Sequence, residues 1–313
     1  MDPEKIVFRK VRNMSETLSA ANVFIRQNIV LLTKGIGIIA MPFFLTGLVG
    51  YYVVLAVVIG ASSNFSQGFE AMGISYLFSV LVMLGAVVLL AVIYELLILY
   101  IKRPDYGQIT VKELAGQVYR NIGIYLSTTF FLYVLLVVAI FALALALAAG
   151  MAMVFGLADL TPVLGVLGSI VLLMLLTYPF VALSFIYIVR LVERKGFIAS
   201  VKRCFELISG NWLSTLWLYT ITLFISFSIT GLIPTFITGG AIFLIDMFSW
   251  DEALFLIPVL GLLYTIVAVI VNVVAMVVIA LRYFSIVEQN EGIGLIRKID
   301  LIGSFTTNPT AGS

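Results

Sequence analysis

Six apolar runs of about 30 residues, at 30–60, 72–101, 122–155, 162–191, 212–245 and 253–287, constrain this chain more than any other feature. A helix needs about 20 mainly apolar residues to cross a bilayer. Each run is therefore long enough, with length left over for tilt, a kink or protrusion past the headgroups. Unbroken apolarity at this length predicts helices, because barrel strands are shorter and alternate in polarity. Pro42, Pro179, Pro234 and Pro258 lie within the runs and are candidate kink points. Composition agrees: only 11% of the 313 residues are charged, where a soluble domain carries about a quarter. The chain reads as a polytopic membrane protein. Its first stretch, MDPEKIVFRKVRN, is polar and basic and leads into a run too long for a signal h-region, so no cleavable signal peptide is expected.

Charge sets the orientation. All 18 Lys and Arg residues fall before or at the start of the first run, between the second and third, between the fourth and fifth, or at the end of the sixth and beyond. The other three connections, SSNFSQGFEAM, GLADLTP and DMFSWDEA, carry none. Basic residues stay on the cytoplasmic side, which places both termini and the two longer loops there. Trp212, Trp217 and Trp250 sit at run ends or in an outer loop, where interfacial aromatic anchors belong.

A segment of helical period precedes each odd-numbered run. Met14, Leu18, Ala21 and Ile25 form the first stripe, with Glu16, Asn22 and Arg26 elsewhere on the surface. Val111, Leu114, Ala115, Val118, Tyr119 and Ile122 form the second, opposed by Lys112, Glu113, Gln117 and Arg120. Thr110 and Glu113 stand at capping-box spacing for its start. Phe197, Val201, Cys204, Phe205 and Ile208 form the third, opposed by Lys202, Arg203 and Glu206. Such helices lie in the membrane surface with basic groups towards the headgroups, making Arg26, Lys112, Arg120, Lys202 and Arg203 candidate lipid contacts. Asn28, Asn121 and Asn211 then mark the expected bends from surface helix to spanning helix, where a small polar side chain satisfies freed backbone groups. Gly210 and Asn211 make a C-cap signal just before Trp212. The asparagines stand 93 and 90 residues apart. The expected fold is an all-α membrane protein: six transmembrane helices in three pseudo-repeats, each preceded by a cytoplasmic amphipathic interfacial helix. The chain is read as one domain, with repeat units at about 14–101, 110–191 and 197–287. The cytoplasmic tail 288–313 has Ile293, Ile296 and Ile299 three apart, which predicts a further short surface helix ahead of a disordered end.

The stretch ERKGFIASVKRCFELISGNWLSTLWLYTI, with Glu193, Gly196, Phe197, Ala199, Ser200, Arg203, Leu207, Gly210, Asn211 and Trp212, resembles a family of bacterial integral membrane proteins. That family includes the membrane domain attached to some glycerophosphodiester phosphodiesterases. The tail FSIVEQNEGIGLIRKIDLIG and FIRQN near the start look like a Bacteroidetes-type branch of the same group. The likeness is strong over roughly 60 residues and elsewhere is one of spacing. The phosphodiesterase activity for which the family is named resides in a separate soluble domain. The resemblance therefore implies a six-helix protein of the bacterial inner membrane and does not imply catalysis.

Chemistry is sparse. The chain has no histidine, which removes the commonest general base and metal ligand together, and its single Cys204 has no evident base beside it. No cofactor, metal, nucleic-acid partner or enzymatic activity is expected. GIGIIA, GLVG and TGGA are candidate glycine packing faces. Three polar residues lie within the runs. Glu95 is about 10 Å inside the membrane from Lys102 at 1.5 Å per residue; it is either a functional ionisable group or a structural one paired with Lys34 or Arg282. Asn272 is expected to hydrogen-bond between helices or face a cavity. Lys34 opens the first run and is expected to reach back to the interface. Two functions fit: a non-enzymatic scaffold or assembly partner, associated with membrane lipids and other membrane proteins, or a transporter or lipid-handling protein with a polar cavity near Glu95 and Asn272.

Overall fold

The computed structural model describes residues 5–60, 65–103, 109–154, 168, 177–247 and 250–292. Eight α-helices are named here: α1 (Met14–Gly35), α2 (Met41–Gly60), α3 (Phe65–Lys102), α4 (Val111–Val154), α5 (Ile186–Glu193), α6 (Phe197–Ile208), α7 (Trp212–Met247) and α8 (Trp250–Glu291). Residues 177–183 are also helical. Among the described residues five stretches are long and apolar enough to cross a membrane: Met14–Gly50, Gly73–Lys102, Val111–Phe141, Trp212–Leu232 and Leu263–Glu291. Regular structure among the described residues is thus all helical, and the chain is a multi-pass membrane protein. Residues 162–167 and 169–176 of the run 162–191, the loop GLADLTP and the surface helix expected around 293–299 lie outside the described residues.

Two of the three expected bends are not breaks. Helix α1 passes through Asn28 and α4 passes through Asn121 without interruption. The chain instead leaves α-geometry at a π-helical turn, Ile36–Ala40, where the Met41 N–H reaches back to the Ile36 carbonyl. Pro42 follows directly. Its ring would collide with the carbonyl four residues back and it has no N–H to give, and a widened turn ahead of it relieves both problems. Only the third bend breaks the helix. Gly210 takes φ +81° between α6 and α7, a conformation glycine adopts without a steric penalty.

The start of α1 carries a capping box: the Asn13 side chain accepts from the Glu16 N–H at 2.8 Å and Glu16 accepts from the Asn13 N–H at 3.2 Å. At α4 only half of the expected box forms. Thr110 Oγ1 accepts from the Glu113 N–H, while the Glu113 carboxylate pairs with Arg103 at 2.5 Å.

The described chain falls into two compact units, Met1–Ile122 with Leu218–Arg282, and Gly123–Trp217 with Tyr283–Ser313. The first is built on the second half of α3, where Ala91–Leu97 are buried without exception. Helix α1 buries Thr17, Ala21, Phe24, Asn28, Leu32 and Gly35, a stripe at steps of three and four that shares only Ala21 with the stripe expected from sequence. Helices α2 and α3 pack through small residues. A Cβ on Gly47 would sit 2.9 Å from the Phe78 carbonyl oxygen, and one on Gly85 would sit 3.2 Å from the Phe44 ring. The glycines let the two backbones approach, as membrane helices require when packing must replace the hydrophobic effect. Gly35 meets Leu114 and Val92, whereas Gly37 in the same motif faces open space. Phe8, Phe24 and Tyr100 form an edge-to-face cluster with centroids 5.1–5.8 Å apart, which ties the segment before α1 to the end of α3.

The second unit is held by aromatic contacts: Tyr125 stacks on Tyr187, Phe131 meets Phe197 at 5.0 Å, and Tyr178 touches both Phe205 and Trp212. Helix α6 buries Ser200, Cys204, Leu207 and Ile208. Cys204 and Ile208 belong to the predicted stripe; Phe197, Val201 and Phe205 are half-buried beside them.

Candidate functional site

Glu95 sits in the most apolar stretch of α3, 1% exposed. A carboxyl group there needs a partner, because desolvation without one is costly. Asn121 supplies it: its Nδ2 donates to Glu95 Oε1 at 2.7 Å, and Asn121 is itself 4% exposed. Two residues that sequence reasoning singled out for separate reasons therefore meet. Asn121 does not end a surface helix; it points from one long helix into the core and satisfies an acid.

Asn28 is also buried, and its amide donates to the Phe24 carbonyl one turn back at 2.9 Å. This back-bonding holds an asparagine inside a continuous helix. Asn28 lines a cleft of about 320 Å³ together with Gln27, Lys34 and Thr110. Gln27 accepts a 2.7 Å hydrogen bond from the Tyr100 hydroxyl, which in turn accepts from the Ile6 N–H. Lys34 is exposed, as expected of a residue reaching for the interface.

Asn272 departs from expectation. It is exposed, and its amide donates to the Ala268 carbonyl on its own helix at 2.7 Å. It does not share a site with the buried Glu95.

Of the candidate lipid contacts, Arg26, Lys112, Arg120 and Lys202 are exposed. Arg203 is not free to face headgroups. Its Nε bonds Glu193 Oε1 at 3.1 Å, Nη2 bonds Glu291, and Glu206 lies 3.9 Å away. Glu193 also receives Lys195 at 2.6 Å and the Tyr283 hydroxyl at 3.2 Å. Burial pushes the Glu193 carboxyl up, but the bonds and charges of Lys195 and Arg203 together outweigh it and hold the group below the usual carboxylate range. The network joins the end of α5, helix α6 and the end of α8. Sequence reasoning missed it because Glu291 lies 88 residues from Arg203; the Glu193–Arg203 spacing was visible only as part of a family likeness.

Beside the network, the Cys204 thiol is buried and pushed up to about 12, first by desolvation and then by the Glu193 charge, with Arg203 opposing. It stays protonated at neutral pH and is a packing residue rather than a nucleophile. At the break into α7, Asn211 acts through its backbone: its N–H donates to the Ile208 carbonyl at 2.9 Å, and its carbonyl accepts from the Thr215 N–H and hydroxyl. Trp212 is exposed and edge-on to Tyr178.

In the sequence Arg190, at the end of the run 162–191, entered only the count of basic residues that sets the orientation. It lies on α5, and its Nη1 donates to Thr128 Oγ1 at 2.6 Å, to Ser127 Oγ at 3.1 Å and to the Ile124 carbonyl at 3.3 Å. An arginine three residues ahead of an available acid, Glu193, was the signal to look for a departure from simple pairing.

Comparison with protein-family models, with curated proteins and with solved structures gives no match. The fold and the buried polar pairs define the class on their own terms: a multi-pass helical membrane protein whose intramembrane acid is held in a side-chain hydrogen bond.

Proposed function

We propose that this is a non-enzymatic integral protein of the bacterial inner membrane, with both termini cytoplasmic, serving as a scaffold or assembly partner. The observation that carries the reading is helix α4. The most apolar 18-residue window of its span Val111–Phe141 has a mean hydropathy of 2.3 but is only 11% buried, and residues 133–141 are exposed at every position. A helix with so little of its apolar surface buried among the described residues offers a long apolar face to lipid or to another membrane protein. The six-helix, three-repeat organisation and kinship with the glycerophosphodiester phosphodiesterase membrane domain belong to the same proposal. They rest on the charge pattern and on Glu193 to Trp212.

The transporter or lipid-handling alternative has less support, since Glu95 is engaged by Asn121 and Asn272 faces outward. The test is a photo-crosslinking scan along the α4 face at Phe130, Tyr133, Val137 and Phe141 in native membranes. Discrete crosslinked protein products at these sites, and none at buried Tyr125, are expected. Crosslinks to lipid alone, with a monomer in mild detergent under all conditions, would overturn the scaffold reading.

A further inference from the structure

We infer that Arg190 binds a phosphate-type oxyanion, the headgroup of an anionic phospholipid, through its Nε/Nη2 edge while Ser127 and Thr128 hold the other end of the guanidinium. The inference depends on the chain lying in a membrane and not on the scaffold role.

A guanidinium has five N–H donors and stays charged in a protein. The three protein acceptors of Arg190 all crowd onto Nη1. Among the described residues no carboxylate lies within ion-pair distance of Arg190, and Nε is buried with no hydrogen-bond partner. Ser127 and Thr128 both donate their own hydroxyl hydrogens to the Ile124 carbonyl. They therefore meet Nη1 as acceptors, and their neutral dipoles orient the cation without cancelling its charge.

Two features of this arrangement point to an external anion. A buried donor without an acceptor is rare and is commonly answered by a bound water or ion. The unpaired edge is also the one that matters chemically: Nε and Nη2 present two parallel N–H bonds that match two oxygens of a phosphate. The Phe197 ring lies 5.9 Å from the guanidinium carbon and shelters it. Arg190 as a whole is half-buried, so its guanidinium is not sealed from the surroundings. Arg190 lies three residues before Glu193, about 5 Å along the helix at 1.5 Å per residue. It thus stands just inside the charged segment Glu193–Lys195, where phosphates of a cytoplasmic leaflet are found.

The test uses the full-length protein in detergent micelles carrying phosphatidylglycerol or phosphatidylcholine, read by native mass spectrometry and thermal stability. The wild type should retain one phosphatidylglycerol with a preference of about tenfold or more over phosphatidylcholine. Arg190→Lys keeps the charge but loses the fork, and should lose that preference. Lys10→Gln, which removes an exposed charge outside the candidate lipid contacts, should keep it. Inorganic phosphate protecting the wild type but not Arg190→Lys, with no lipid retained, would keep the oxyanion site and assign it to a soluble ligand. A preference unchanged in Arg190→Lys, or absent from the wild type for both ligands, would overturn the inference. Should Arg190→Lys fail to fold, Thr128→Val decides: it frees Nη1, so a weakened preference supports the site and an unchanged one refutes it.

Discussion

The Asn121 amide donates to the Glu95 carboxyl across 2.7 Å, joining α4 to the buried half of α3. The pair explains two oddities together: an ionisable residue in the most apolar part of the chain, and a polar residue on a helix that continues past it. A hydrogen bond within a protein contributes about 0.5–1.5 kcal/mol net, and leaving one partner buried and unsatisfied costs more than removing both. Both residues also touch other groups, so each single change disturbs more than this contact.

A double-mutant cycle isolates the contact. Asn121→Ala and Glu95→Ala should each destabilise the protein by on the order of 2 kcal/mol. The double variant should fall short of their sum by on the order of 1 kcal/mol or more. Additive effects in thermal unfolding would show that the pair is incidental.

The helix contact between α2 and α3 gives a second outcome. Gly47→Leu introduces side-chain atoms where even a Cβ would meet the Phe78 carbonyl at 2.9 Å, and backbone cannot yield as a flexible side chain can. Overpacking of this kind costs about 1–3 kcal/mol. Gly37→Leu, with nothing within 4 Å, should be tolerated. Equal accumulation of both variants in the membrane would refute the close approach.

How far the fold was legible follows from these two contacts. Apolar runs and charge blocks locate the helices, and the glycines of GLVG were readable as a packing face because small residues have few other uses there. The bends at Asn28 and Asn121 were misplaced because periodicity cannot tell where an asparagine on a long helix finds its partner. Asn28 bonds back to Phe24 within its own helix, and Asn121 reaches a residue 26 positions away. The Gly210 break was visible, since positive φ is a local property that glycine advertises. Arg203 looked like one more headgroup contact; only the tertiary fold brings Glu291 to it.

The Arg203 network predicts a pH dependence. Glu193 has a folded pKa below its ordinary value. Its contribution to stability is therefore full above the unfolded value near about 4.3 and is lost as pH falls through the lower folded value. Wild-type melting temperature should drop across about pH 5 to 3. Glu193→Gln should be less stable at neutral pH and show a shallower acid limb. Parallel acid limbs in the two proteins would remove Glu193 from the account.

Orientation is open to cysteine labelling, because Cys204 is buried and its thiol is held protonated. With an impermeant thiol reagent on intact cells, Ser66→Cys and Trp250→Cys should react and Lys202→Cys should not. Reaction at position 202 alone would invert the topology drawn from the basic loops.

The last prediction concerns the break between α6 and α7, where two neighbours compete for the structural role. Gly210 holds φ +81° with open space around it, so an alanine there meets backbone strain and no clash. The left-handed region costs an L-residue roughly 1–2 kcal/mol. Asn211 closes the turn through its N–H and carbonyl, bonds that alanine also makes. Gly210→Ala should therefore lower the melting temperature and membrane accumulation clearly, and Asn211→Ala by much less. Asn121→Ala should resemble the former in severity, through loss of its bond to Glu95 rather than through the backbone. The three asparagines should thus fail to behave alike, although they stand at nearly equal intervals in the chain. If Asn211→Ala proves as damaging as Gly210→Ala, the side chain has a partner that the backbone geometry does not require, and the break is then built on Asn211 after all.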